Sequence, residues 1–245
     1  MIEADRSPFW DPLLFVALQW QLKNAFFSIH ASGLENLRTL DPEKPVIAFS
    51  NYTNWWDGLI VFHLTRQARK KRFYCMLDEK QMKDYRFFKW LGAFSVDKGN
   101  PVRAAASVRY ATRLLENPET LLWLFPQGKI SSPHEPVTVE TGTEYLASRA
   151  RRAQLLPVAF GYTFRREDRP EVFIRFGKGF LSSECYEGRI SEEIQQQSDF
   201  VQNAIHENDY HDFTRLLTPK LSLNKRFEWV RRLFTGTLRD FCAEN

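Results

Sequence analysis

The 245-residue chain is short of cysteine, of long apolar runs and of concentrated charge, and each shortage removes a class of protein. Its three cysteines, Cys75, Cys185 and Cys242, are odd in number and far apart, so neither a disulfide framework nor a metal site follows from their spacing. They read as reduced thiols, and no metal or cofactor is expected. No uninterrupted apolar run reaches the ~18 residues of a transmembrane helix. The first residues, Met1-Ile2-Glu3-Ala4-Asp5, are acidic where a secretory signal is basic. Net charge is only +4, with Lys and Arg scattered over many segments, so nucleic acid is not an expected partner. Internal repeats, low-complexity tracts and linkers are also missing.

What is present is apolar and aromatic. Hydrophobic residues make up 43% of the chain, including 21 Phe and 7 Trp, enough for a full core. A mildly basic chain rich in Trp and Phe suits an anionic membrane surface, so a cytoplasmic protein held peripherally on a membrane is expected. The sequence specifies no oligomeric state.

The chain is organised around one stretch. Pro45-Val46-Ile47-Ala48-Phe49 reads as a buried strand. Ser50-Asn51-Tyr52-Thr53-Asn54 is a polar turn, and a helix follows with Asp57 in its first turn, where the helix dipole favours a carboxylate. Tyr52 lies five residues before Asp57, so both side chains are expected in one cleft.

Before this stretch, residues 12–29 read as a helix capped by Asp11, with Phe15, Leu18, Leu22, Phe26 and Ile29 on one face. It is either packed on the domain or dipped into lipid with Trp10 and Trp20 at headgroup level. Residues 33–44 form a connector, and Arg69-Lys70-Lys71-Arg72 closes the helix that Asp57 opens. Further strands are expected at 73–77, 92–96, 120–125, 155–160 and 171–177, the last two joined as a hairpin. Helices are expected at 78–90, 101–116 and 138–152, and from a Ser191 cap through 217. A basic amphipathic helix at 225–241 ends the chain, as a packed or a membrane-surface element. The predicted fold is a single α/β domain with a mixed, mostly parallel sheet flanked by helices. Residues 1–32 form its N-terminal helix, 45–180 its core and 190–245 its C-terminal helices.

Four blocks within 45–180 resemble, in order, those of the lysophospholipid and glycerol-phosphate acyltransferase superfamily, the 1-acylglycerol-3-phosphate acyltransferases among them. Ser50-Asn51 and Asp57 match the first block, but Tyr52 stands where the family has its histidine base. Lys98 stands at the second block's phosphate-holding arginine. Phe125, Pro126 and Gly128 match the third block, with Gln127 in place of Glu and Lys129 in place of Thr. Leu155 to Phe160, with Pro157, resembles the fourth. The resemblance implies transfer of an acyl group from acyl-CoA or acyl carrier protein to the hydroxyl of a lysophospholipid, glycerol phosphate or another lipid alcohol. It implies Tyr52 and Asp57 as the catalytic pair, and Lys98, Phe125, Pro126, Gln127, Gly128 and Lys129 as substrate-binding residues.

Tyrosine is a poor base, since a phenol of pKa near 10 is only about one part in a thousand ionised at pH 7. Three readings stay open. The enzyme works through another base, His134 or His63, or through positioning alone. Alternatively it is a catalytically impaired homologue that binds lipid or acyl donor without turnover. Or Tyr52 is an introduced substitution that traps a complex.

Overall fold

The protein was analysed as a computed structural model, which describes residues 1–67, 71–165 and 167–217. In chain order it runs α1 (Trp10–Ala25), β1 (Ser28–Ser32), α2 (Leu34–Arg38), β2 (Val46–Ser50), α3 (Asp57–Gln67), β3 (Arg72–Asp78), α4 (Glu79–Asp84), a 3-10 turn (Arg86–Leu91), β4 (Ala93–Val96) and α5 (Pro101–Leu114). Then follow β5 (Thr120–Leu124), α6 (Thr141–Arg149), β6 (Gln154–Thr163), β7 (Glu171–Phe176), β8 (Phe180–Leu181), α7 (Arg189–Glu207) and β9 (Thr214–Leu217). The strands form one sheet in the order β4-β3-β5-β2-β6-β7-β1-β9, with β8 beside β6. Pairing is parallel from β4 across to β6 and between β7 and β1. It is antiparallel where β6 turns back into β7 and where β9 joins β1.

β2 shows why the centre of the sheet reads as an unbroken apolar run: helices cover both faces. Val46 and Ala48 point into a core shared with α1, α3 and the 3-10 turn, including Leu22, Ile60 and Leu91. Ile47 and Phe49 point the other way, into a core shared with α5, α6 and α7 that includes Ala111, Leu146 and Ile194. Consequently the loops after β2 and β5, neighbours in register at Phe49 and Leu124, leave the sheet toward opposite faces. Such a divergence opens a crevice at the strands' carboxyl ends, the usual place for a ligand in open α/β sheets.

Several boundaries differ from the sequence-based expectation. α1 ends at Ala25 because Phe26 is already extended, and Ile29 belongs to β1 rather than to a helix. Pairing with β7 overrides the helical spacing there. Asp11 is no cap; it lies in the first turn and faces Arg66 at 3.3 Å. Ser191 likewise sits inside α7, its hydroxyl donating to Val137 O, and Gly188, left-handed at φ 86°, precedes the helix. α7 stops at Glu207, where Asn208 turns left-handed at φ 56°, and the chain returns as β9. The expected helix at 138–152 is the shorter α6, and the connector at 33–44 holds the five-residue α2. Of the basic cluster, Lys71 donates to the carbonyls of Pro42, Lys44 and Pro118, and Arg72 faces Glu119 at 3.3 Å, so both serve the fold. Arg69, Lys70, Cys242 and the helix expected at 225–241 lie outside the described residues.

At the end of β2 side chains take over the ladder. Buried Ser50 accepts a hydrogen bond from Trp123 Nε1 at 3.0 Å. Buried Asn51 donates to Phe160 O at 2.9 Å and accepts from Phe160 N at 2.8 Å, so its amide replaces a paired peptide as the chain leaves the sheet. Asn51→Ala is expected to cost about 2 kcal/mol or more, because two buried backbone groups on β6 lose their partner. Asn51→Asp should fail similarly, since a carboxylate cannot donate to Phe160 O. Urea denaturation of both variants checks this; a midpoint equal to that of the wild type in either would refute it.

Candidate functional site

The turn between β2 and α3 is built around the carboxyl of Asp57, which is fully buried. Its Oδ2 accepts from Thr53 N and Asn54 N, both at 2.8 Å, so the chain wraps back over the helix it is about to enter. Its Oδ1 accepts a very short hydrogen bond from the hydroxyl of Tyr162 on β6. Among the described residues no cation touches it. Burial therefore dominates and pushes the carboxyl up to about 7, while Tyr162 and the backbone donors pull it partly back. Tyr162 is itself driven well above the ordinary tyrosine range, by burial first and by the nearby Asp57 second.

Tyr52 does not take Asp57 as its partner, contrary to the sequence-based expectation. Its ring stacks on Phe125 at 4.5 Å, and its phenol faces Gln81 on α4. Burial raises the Tyr52 phenol further. Gln127 ties the two turns together: its Oε1 accepts from Tyr52 N at 2.9 Å, and Tyr52 O accepts from Ser131 N at 2.8 Å. An amide oxygen serves that contact without bringing a second carboxylate into the crevice.

Lys98 follows β4 and reaches the same turn, its Nζ donating to Gly128 O at 2.5 Å and facing Glu140 at 3.4 Å. Gly128 is left-handed at φ 62°, a backbone conformation that favours glycine, and a Cβ there would push the Lys98 ammonium, 1.8 Å away, off the turn. A cavity of about 720 Å³ opens beside this turn, under the carboxyl ends of β3, β4 and β5 and between α5 and α6. Tyr52, Lys98, Phe125, Pro126 and Gly128 line it, with Met76, Leu77, Val96, Leu124 and Leu146 making apolar walls. Gln127 is buried behind it, holding Tyr52.

Three expected residues lie elsewhere. Lys129 is exposed and does not line the cavity. His134 is exposed on the loop after the turn, and likewise lines no part of it. His63 is buried on α3 and stacked on Phe15 of α1 at 5.3 Å, with burial lowering its pKa. Neither histidine lines the cavity beside Tyr52. Sequence reasoning missed Tyr162 and Gln81. A signal for Tyr162 was available: a tyrosine in an apolar strand needs a partner for its hydroxyl, and an unpaired Asp at a helix start needs a donor.

A switch-point crevice with an apolar cavity beneath it is where an open α/β sheet holds a small ligand. Comparison makes this specific. The model of the Acyltransferase family matches residues 28–161, more than half of the chain, and the protein belongs to that family. Among solved structures it is similar to the 1-acyl-sn-glycerophosphate (LPA) acyltransferase PlsC from Thermotoga maritima, with a TM-score of 0.53 and 16% identity over 81% of this chain and 80% of that one. At that identity the likeness is one of fold. No curated protein sequence matches.

The raised Asp57 pKa has a definite sign. In an unfolded chain Asp titrates near 4. Between about 4 and about 7 the unfolded state loses this proton first, so Asp57 subtracts stability as pH rises, and the loss is complete above 7. Its full size is roughly 4 kcal/mol as an upper figure. Asp57→Asn keeps an acceptor for Thr53 and Asn54 and offers an N–H to the Tyr162 oxygen. It is expected to stabilise the protein at pH 8 and to flatten the decline between pH 4 and 7. Thermal melts of the two proteins across that range check this; a variant less stable than the wild type at pH 8 would contradict it.

Proposed function

We propose that the chain binds an acyl thioester and a lipid alcohol at a membrane surface and transfers the acyl group with its general base missing. The observation that carries this reading is the convergence of Tyr52, Lys98 and the Phe125–Gly128 turn on one apolar cavity. The donor is acyl-CoA or an acyl carrier protein thioester; the acceptor is a lysophospholipid, glycerol phosphate or another lipid alcohol. Apolar walls hold the chain-like part of a substrate. The Lys98 ammonium and the Phe125–Gly128 turn lie where polar atoms must enter.

Position 52 is where the family resemblance puts the base, and no histidine lines this cavity in its place; its carboxylates are engaged, Asp78 with Lys80 N at the start of α4 and Glu140 with Lys98. Asp57 has a base-like pKa, but it does not line the cavity and all its oxygens are engaged inward. Chemistry then rests on positioning. The same observation favours a second reading, an impaired homologue that binds substrate with little or no turnover.

Membrane attachment has its own support. Phe9, Leu13, Val16 and Trp20 recur at helical spacing and are 74%, 55%, 63% and 60% exposed, while Leu18 and Leu22 on the other side of α1 are buried. The apolar surface continues through Trp10, stacked on Trp90 at 5.4 Å, and Trp55 and Tyr85, 5.9 Å apart, at the turn that carries Tyr52. A helix apolar on both sides has room for lipid on the exposed one. The described residues contain no helix long and apolar enough to cross a membrane.

Thioester consumption with lysolipid acceptors tests the chemistry. Tyr52→His should raise turnover only modestly while Tyr162 occupies Asp57 Oδ1. Tyr52→His with Tyr162→Phe frees that oxygen to orient the imidazole, and the gain should approach the 10²- to 10⁴-fold of general-base catalysis. A wild-type rate in the ordinary enzymatic range, or no gain in either variant, would mean that Tyr52 marks no missing base. Vesicle sedimentation tests the attachment: Leu13→Glu with Val16→Glu should weaken binding by on the order of tenfold or more. Unchanged sedimentation would remove α1 from the contact.

A further inference from the structure

The cavity does not end at its apolar walls. Its outer end, at Val108, Arg109 and Tyr145, is shared with a second concavity, also about 720 Å³, on the surface between α5 and α6. Three guanidinium groups line that groove: Arg109 and Arg113, one turn apart on α5, and Arg149 on α6. One carboxylate, Glu3, lines it with them. Among the described residues none of the three arginines is held in an ion pair. Elsewhere the exposed arginines Arg72 and Arg103 face Glu119 and Glu79. Three guanidiniums without a carboxylate partner in one concave surface repel each other and gain most from a polyanion.

We propose that this groove holds the phosphorylated head of a coenzyme A thioester, its 3′-phosphoadenosine diphosphate. The proposal rests on the acyl-transfer reading and adds the donor and its place. Such a donor has a reactive carbonyl, a slender pantetheine arm and several phosphates at the far end. The molecule's geometry runs in that order: Tyr52 and the Phe125–Gly128 turn at one end of the cavity, an apolar stretch lined by Ala104, Ala105 and Val108, then the arginines. Tyr145 stands where the two concavities meet, its ring 5.2 Å from the Arg149 guanidinium and its hydroxyl 3.1 Å from Arg149 Nε. A half-exposed tyrosine backed by a planar cation offers a purine base a flat face. A concave groove of this volume suits a small ligand better than the broad surface of an acidic carrier protein.

The test compares, on the full chain, binding of palmitoyl-CoA with that of the palmitoyl thioester of N-acetylcysteamine, which carries the same acyl group without phosphates. Arg109→Ala with Arg113→Ala and Arg149→Ala should weaken palmitoyl-CoA by about 10- to 100-fold and leave the short thioester unchanged. The corresponding triple Lys variant keeps the charge and should fall between the wild type and the Ala variant. Removing only the 3′-phosphate from the ligand should weaken wild-type binding, and should matter less in the Ala variant. Equal palmitoyl-CoA affinity in all three proteins would overturn the proposal. So would wild-type binding of the short thioester as tight as that of palmitoyl-CoA, though the acyl cavity would still stand. Loss of a palmitoyl carrier-protein thioester, with palmitoyl-CoA unaffected, would transfer the groove to a protein partner and overturn the assignment. If the wild type bound none of the thioesters, the acyl-transfer reading itself would fail.

Discussion

The carboxyl of Asp57 is the constraint on which the site depends. It is buried without a cation, so its only compensation is hydrogen bonding, and three donors supply it. Two come from the turn's own backbone and bend residues 53 and 54 around the start of α3. The third comes from Tyr162, which pins that helix start to β6 on the far side of β2. Remove the carboxyl and three donors lose a partner at once, at a point where Asn51 already spends its whole amide on β6. The turn is therefore held from both ends, and Tyr52, midway between, has little freedom in where its backbone lies.

Divergence of the loops after β2 and β5 then separates two environments. The polar network of Asp57 and Tyr162 belongs to the face covered by α3, and the apolar cavity to the face covered by α5 and α6. Tyr52 straddles the boundary. Its amide is fixed by Gln127, its ring lies on Phe125, and its side chain reaches Gln81. A group at position 52 can touch a substrate in the cavity, whereas Asp57 can act only through that group. This division explains why a base-like pKa at Asp57 does not make it a base for the acceptor.

Much of this was legible in the sequence, for a physical reason. The order of strands and helices and the three turns that meet at the cavity each follow from local signals: apolar runs, a polar break, Pro-Gln-Gly. Asp57 at the first position of α3 was readable from the dipole argument alone. What failed was long-range. Ile29 follows helical spacing yet pairs with Val172 in a sheet, and residues 214–217 continue no helix but cover the edge of β1. Tyr162 is 105 residues from Asp57, and only the β2–β6 register brings it there. Lys129 was expected beside Lys98 at the substrate, but after the left-handed Gly128 it is exposed to solvent.

A second buried carboxylate shows that Asp57's state is not forced by burial alone. Glu171 on β7 is also shielded from solvent, though less deeply, and it adjoins Ser28 and His30, an assortment that on paper suggests a catalytic triad. The geometry denies it: the same ring nitrogen, His30 Nε2, meets both Ser28 Oγ at 2.7 Å and Glu171 Oε2 at 2.9 Å, so no proton path runs through the imidazole. Burial would lift Glu171, yet Arg165, bonding both its oxygens, together with Ser28 and His30, keeps it below the usual carboxylate range. Glu171 is thus a charged staple joining β1 to the β6–β7 hairpin. Asp57 lies deeper and, among the described residues, has no such cation. A carboxyl left to titrate near neutrality beside a cavity is costly for stability, and such costs concentrate where a site needs them. The fold balances the charge of a buried carboxylate at Glu171; at Asp57, among the described residues, it holds the carboxyl by hydrogen bonds alone, from Thr53 N, Asn54 N and Tyr162.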